Sequence, residues 1–92
     1  MIFDLETNGF GRKAEICQIA AKSNDEQFNV YIVPRKSIPA RVTEVTGLHV
    51  REGELFLHGR AVQTTPSQSA LLSFISFRKV QGDFRVPTKK KN

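Results

Sequence analysis

The alternation of apolar and polar side chains predicts three strands at the start of the chain. In residues 1–6 the side chains at positions 1, 3 and 5 face one way, and those at positions 2, 4 and 6 face the other. Residues 15–21 combine apolar side chains with small alanines, and residues 28–33 alternate again. Polar turns separate these segments, and the Asn-Gly pair of the first turn tolerates positive φ. Three strands joined by short polar turns predict an antiparallel meander.

The period then changes, and two helices are predicted. Ser37 is a candidate cap for a short helix with Pro39 in its first turn, and Gly47 lies where a helix often ends in a left-handed residue. A loop is expected to follow Gly47. Residues 65–68, Thr-Pro-Ser-Gln, form a capping-box pattern that opens the second helix. The predicted fold class is therefore α/β, a three-strand meander plus two helices.

Composition and charge divide the chain at residue 77. The 92 residues suffice for one small domain, and the hydrophobic fraction of 39% argues against general disorder. Residues 1–77 hold equal numbers of basic and acidic residues, so the net charge of +5 resides entirely in residues 78–92. We expect an N-terminal domain over 1–77 and a basic, disordered tail over 78–92. Such a tail can contact phosphates, although basic termini are commonly only solvated.

Other features of the composition favour a soluble protein inside the cell, in the nucleus or the cytoplasm. Cys17 is the single cysteine, which excludes an internal disulfide and fits a reducing compartment. We expect Cys17 to be a small core residue and not a nucleophile. The first residues do not resemble a secretion signal, and no stretch approaches the roughly 18 apolar residues of a membrane-spanning helix.

The candidate chemistry lies at Asp4 and Glu6, at the end of the first predicted strand. Side chains two apart on a strand share a face. Two carboxylates on one edge suit Mg²⁺, which prefers oxygen ligands and keeps several waters. Two such ions about 3.5–4 Å apart can activate a water and stabilise the leaving oxygen of a phosphodiester. The alternative is that both acids merely lie on a solvated strand face.

The residues around this pair make the pattern more specific. Residues 3–9, Phe-Asp-Leu-Glu-Thr-Asn-Gly, and residues 15–21, Glu-Ile-Cys-Gln-Ile-Ala-Ala, resemble the first motif and second strand of the DEDD (DnaQ-like) 3′–5′ exonuclease family. Residues 31–34, 45–48 and 68–74 resemble later segments of that family in consistent order. The closest resemblance is to the three-prime repair exonuclease branch.

This resemblance implies a ribonuclease-H-like fold that removes nucleotides from 3′ ends of DNA or RNA. Asp4 and Glu6 match the acids that hold Mg²⁺ or Mn²⁺ in the family's two-ion site. Thr7 and Asn8 match residues that lie against the terminal nucleotide, and Thr46 matches a position near the same pocket. The expected partner is therefore a nucleic acid 3′ end and not a membrane.

Departures from the family pattern predict a truncated fold with weak activity or none. Asn8 stands where the family usually has a second threonine. The second motif is replaced by residues 78–85, in which Asp83 is the one acid, and the third motif with its general-base histidine is absent. His49 and His58 do not occupy the place of that base, and we expect both to be loop residues.

Two other interpretations remain open at this stage. The chain can be a non-catalytic nucleic-acid-binding or regulatory protein derived from the same fold. It can also be a small structural module whose acids are surface residues. A homodimer or a partner chain that supplies missing ligands is compatible with the sequence.

Overall fold

The first sheet is the predicted meander. The computed structural model describes residues 1–9 and 11–81, and within them β1 (Ile2–Thr7), β2 (Ile16–Ser23) and β3 (Glu26–Tyr31) pair in the order β1-β2-β3. Both pairings are antiparallel. The described chain is therefore a small mixed α/β domain, as predicted, with β2 at the centre of this sheet.

A second antiparallel sheet occupies the segment that was predicted to be a loop, so that prediction is wrong. Its strands are β4 (Leu48–Arg51), β5 (Glu54–Leu57) and β6 (Arg60–Ala61). Two-residue turns join them, and both residues of each turn have positive φ: 52° and 79° at Glu52 and Gly53, and 50° and 83° at His58 and Gly59. Turns of this kind match the natural twist of paired strands, which explains the tight hairpins.

The first helix is α1 (Ala40–Thr46), and its predicted start differs from the observed one. Pro39 occupies the cap position without any side-chain cap hydrogen bond, so the prediction that Ser37 caps the helix is wrong. The predicted end is confirmed. Gly47 adopts a left-handed conformation with φ of 81°, and its N–H donates to the carbonyl oxygen of Thr43 at 2.7 Å.

The second helix is α2 (Ser67–Gln81), which begins one residue later than the capping pattern predicts, because that pattern puts Pro66 at the first helical position. It continues through residues 78–81, which were expected to belong to the tail. Residues 82–92, including Asp83, lie outside the described residues.

The core consists of two clusters that both include residues of β2. One contains Cys17, Ile38, Leu48 and Leu55, and the other contains Ile19, Ile32 and Ala70. Phe28 extends the second cluster, because its ring lies 5.8 Å from that of Phe74 and 5.4 Å from that of Phe77. Both phenylalanines of α2 are half-buried, and both rings contact the first sheet through Phe28.

Gly47 and Gly53 provide a matched test of how the end of α1 packs against the turn between β5 and β6. Both have a φ near 80°, but a Cβ at Gly47 would overlap the His58 imidazole, whereas a Cβ at Gly53 would meet open space. We expect Gly53→Ala to lower the free energy of unfolding by about 1–2 kcal/mol, the cost of a left-handed alanine. Gly47→Ala should cost more, because the ring must also move. Urea unfolding measures both.

The His58→Ala background isolates the contribution of the ring. In that background Gly47→Ala should cost the same as Gly53→Ala, because the overlap is gone and the backbone cost remains. Equal losses for the two glycine variants in the wild-type background would contradict the packing described here.

Candidate functional site

The predicted acids lie on one face of β1, at the edge of the described sheet. Asp4 is opposite Ala20 and Glu6 is opposite Gln18 in the register with β2. Asp4 is exposed and Glu6 is half-buried. Their Cα atoms are about 7 Å apart, as for any i, i+2 pair on a strand. Neither cross-strand neighbour carries a charge, so the two carboxylates form a small negative site on an open face.

Alternation along β1 is what fixes these acids on that face. Phe3 and Leu5 lie opposite Ala21 and Ile19, on the side of the sheet that α2 covers. The Phe3 ring lies 5.5 Å from the ring of Phe74 in α2. A slip of one residue would exchange the acids with these apolar side chains and remove the contact of Phe3 with α2, which favours the observed register.

A register shift separates Glu6 from Thr7. Glu6 is opposite Gln18, but Thr7 is opposite Ile16, so Cys17 is the extra residue on β2. Such a bulge bends the strand and re-aims the side chains next to it. The bulge in β2 therefore lies opposite Glu6 and Thr7, two of the predicted site residues.

Cys17, the bulged residue, packs in the core. Its side chain is fully buried, which confirms the prediction that it is a core residue. Burial, together with the negative charges of Glu15 and Glu6, raises the pKa of the thiol to about 11. The thiol therefore stays protonated at neutral pH, which makes it a poor nucleophile.

A cleft of about 580 Å³ between the end of β1 and α1 brings several predicted residues together. Glu6, Thr7 and Thr46 all line it, although Thr46 is far from the other two in sequence. Asp4 and Asn8 are not part of its lining. Sequence reasoning missed the contribution of α1, which adds a cation, an acid and an apolar wall. These further lining residues are Leu5, Gly9, Arg41, Val42, Glu44 and Val45.

The two threonine hydroxyls of the cleft have local backbone partners. The Thr7 hydroxyl donates to the carbonyl oxygen of Gly9 at 2.7 Å. The Thr46 hydroxyl donates to the carbonyl oxygen of Val42 at 3.0 Å and accepts from the N–H of Leu48 at 3.1 Å. Both side chains therefore shape the backbone around the cleft. A ligand in the cleft would meet the remaining acceptor capacity of the Thr7 oxygen.

Asn8 is placed differently from the other predicted residues. It is buried, its Nδ2 donates to Oε1 of Glu15 at 3.3 Å, and its Oδ1 accepts from the Glu15 N–H at 2.8 Å. The Asn8 N–H also donates to the carbonyl oxygen of Glu15 at 3.0 Å. The hydrogen bonds of Asn8 therefore hold together the two ends of the turn between β1 and β2. Its contact with a terminal nucleotide stays a prediction.

Glu15 also binds the segment after β3. Its Oε1 also accepts from the Lys36 N–H at 3.0 Å, and its Oε2 pairs with Nε of Arg35 at 3.1 Å. The Lys36 N–H, followed by the Arg35 guanidinium, lowers the pKa of Glu15 below its ordinary value of 4.5. Sequence reasoning gave Glu15 no role, because its partners lie in two distant segments.

The described residues offer a small ligand set for a metal ion. Within residues 1–9 and 11–81, no group of three or more His, Cys, Asp and Glu side chains could hold one. Two carboxylates on an open face do suit a magnesium ion that keeps most of its waters. His49 belongs to β4 and stacks on Phe56 at 5.1 Å, so the expectation that it is a loop residue is wrong. His58 does lie in a turn.

Comparisons with known proteins leave the family open. A scan against protein-family models gives no match, and a comparison with curated proteins gives none either. In the part of the chain that the structure describes, neither helix has the length and apolar character needed to cross a membrane.

The lowered pKa of Glu15 predicts a pH-dependent contribution to stability. A carboxyl group whose pKa is lower in the folded state stabilises that state above its unfolded value of 4.5, and the contribution is lost as pH falls through the folded pKa. We therefore expect Glu15→Gln to lower the free energy of unfolding at neutral pH and to have a smaller effect in acid. Urea unfolding between about pH 7 and pH 3 measures this difference.

Glu26→Gln is the matched control, since Glu26 is an exposed glutamate in β3. It reports the effect of removing a surface carboxylate as such. A Glu15→Gln effect that stays constant across the pH series would contradict the role given to the Glu15 charge.

Proposed function

We propose that this chain is part of a metal-dependent 3′–5′ exonuclease of ribonuclease-H-like fold that acts on DNA or RNA. The observation that carries the proposal is the cleft at the end of β1, where Glu6, Thr7 and Thr46 meet although they come from two distant segments. The family resemblance gives these three residues roles around one substrate end, and their shared cleft supports that reading.

Asp4 and Glu6 would hold the metal ion, Mg²⁺ or Mn²⁺. When bound, such an ion polarises a phosphoryl oxygen and lowers the pKa of a coordinated water. The open face around the two carboxylates leaves room for the waters and the phosphate that complete the ligand set of magnesium.

The remaining cleft residues would receive and orient the terminal nucleotide. Arg41 supplies a cation at the cleft, which suits charge-assisted hydrogen bonds to a phosphate. Leu5 and Val45 supply apolar surface for a base or sugar, and Val45 is 86% exposed. The carbonyl of Gly9 holds the proton of the Thr7 hydroxyl and turns its oxygen into an acceptor for a sugar hydroxyl.

Low activity of this chain by itself is part of the proposal. No histidine lines the cleft, and the loss of a positioned general base costs about 10²–10⁴-fold in rate. The described surface also exposes large apolar side chains on β1 and α2: Ile2 is 79%, Phe3 52% and Leu72 62% exposed. Exposed apolar surface of this kind suits a fold whose remaining layers come from further polypeptide.

A non-catalytic nucleic-acid-binding protein derived from the same fold is the second candidate. Two observations favour it: the ligand set among the described residues is limited to two carboxylates, and both threonine hydroxyls are engaged by the backbone. Binding without cleavage needs neither a second metal site nor a base.

Digestion of a 5′-labelled single-stranded oligonucleotide in Mg²⁺ or Mn²⁺ separates these functions. We expect slow, metal-dependent shortening from the 3′ end that Asp4→Ala/Glu6→Ala abolishes, because that variant removes the metal ligands. The matched control is Asp25→Ala/Glu26→Ala, which removes two exposed acids at the β2–β3 turn and should keep the activity.

Two other outcomes of this digestion would contradict parts of the proposal. A chain that is folded by circular dichroism and produces no shortening with either metal would contradict catalysis and favour the binding protein. Equal shortening by both double variants would contradict the assignment of the site to Asp4 and Glu6.

A further inference from the structure

A basic groove lies beside the turn that joins β1 and β2. It has a volume of about 580 Å³, and four of its six lining residues are cations, opposed by one carboxylate. The residues lining it are Arg12, Lys13, Ala14, Glu15, Arg35 and Lys36. Because residues 1–77 as a whole carry equal numbers of acidic and basic residues, this groove is a local concentration of positive charge.

Glu15 lines the groove but neutralises only part of the groove's positive charge. The carboxylate pairs with the Arg35 guanidinium and accepts from the backbone N–H of Lys36, so it does not engage the Lys36 ammonium. Arg12, Lys13 and Lys36 are exposed and form no ion pair with any described residue. Three cations are therefore free to meet an anionic ligand.

The groove and the cleft both lie next to the turn between β1 and β2. Thr7 and Gly9 line the cleft, Asn8 lies between them in sequence, and the Asn8 side chain is hydrogen-bonded to Glu15, which lines the groove. A polyanion that occupies both places need only pass around this turn. The hydrogen bonds of Asn8 and Glu15 hold the two places in a fixed relation.

We propose that the basic groove binds the phosphate backbone of a nucleic-acid strand whose end lies in the cleft. This inference rests on the proposed function for the position of the strand's end, but the groove's charge and exposure stand independently of catalysis. Phosphates spaced along a strand suit several separate cations, because each contact releases a counterion from the nucleic acid.

The test measures binding of a fluorescent oligothymidylate in EDTA, so that metal and cleavage play no part. The variant is Arg12→Gln/Lys13→Gln/Lys36→Gln. Arg35 is kept because its pair with Glu15 is structural. The matched control, Lys22→Gln/Arg51→Gln/Arg60→Gln, removes the same charge from exposed positions of the two sheets. Residues 78–92 are present in every variant, so their charge contributes equally.

We expect the groove variant to bind on the order of tenfold or more weakly at low salt and the control to bind nearly as the wild type does. The slope of log K against log salt should become shallower by about 2, the value for three lost contacts to a single strand. Circular dichroism of each variant verifies that it is folded.

Two results would overturn the proposal. One is equal weakening in the two triple variants, since general charge would then explain binding. The other is competition by polyglutamate as strong as that by unlabelled oligothymidylate, since the groove would then fit an acidic protein. Because binding is measured in EDTA, its outcome does not depend on the proposed metal site at Asp4 and Glu6, which the digestion experiment tests separately. A failure of catalysis is thereby distinguished from a failure of the groove.

Discussion

The carboxylate of Glu15 joins three segments of this chain: the turn after β1, the start of β2 and the segment after β3. It receives the Asn8 amide from the end of β1 and the Arg35 and Lys36 donors from the segment after β3. Glu15 itself precedes β2, the strand that contributes to both core clusters. The turn after β1 is thereby anchored to the core, and with it the cleft and the basic groove that lie next to this turn.

The second constraint on the structure is that the two faces of β1 differ in polarity. One face packs Phe3 against α2, and the other presents Asp4 and Glu6 to open space. The pairing of β1 with β2 and the contact of Phe3 with α2 hold the two acids on one face despite the repulsion between their charges. This arrangement lets two like charges persist side by side on a strand edge, which is the local condition that a metal site of carboxylates requires.

The parts of the fold that the sequence predicts well are those with long patterns and strong turn residues. The meander follows from alternation, and the end of α1 follows from Gly47. The Asn-Gly signal was misplaced, because positive φ falls at Gly11 and Asn24 and not at Asn8 or Gly9. The second sheet escapes prediction because its strands have only four, four and two residues. Its turns also use Glu-Gly and His-Gly in place of Asn-Gly. The regular spacing of Gly47, Gly53 and Gly59 is the one signal that would have indicated it.

The sequence predicts the candidate site only in part. Alternation along β1 puts Asp4 and Glu6 on one face, but local pattern cannot indicate that Arg41 and Glu44 of α1 complete the cleft. Nor can it indicate the role of Glu15, whose partners lie 7 and 20 positions away. Interactions over such separations depend on how the turn and the segment after β3 pack in three dimensions.

Paramagnetic broadening of backbone amide signals by Mn²⁺ tests most directly whether the β1 acids form a metal site beside the cleft. Broadening falls off steeply with distance from the ion, so it reports position without requiring activity. The account predicts that the signals of Asp4, Glu6 and Thr7 broaden first, followed by Thr46, and that Asp4→Asn/Glu6→Gln removes the effect. Broadening that begins instead at other acids, such as Asp25 and Glu26, or that persists in the double variant, would contradict it.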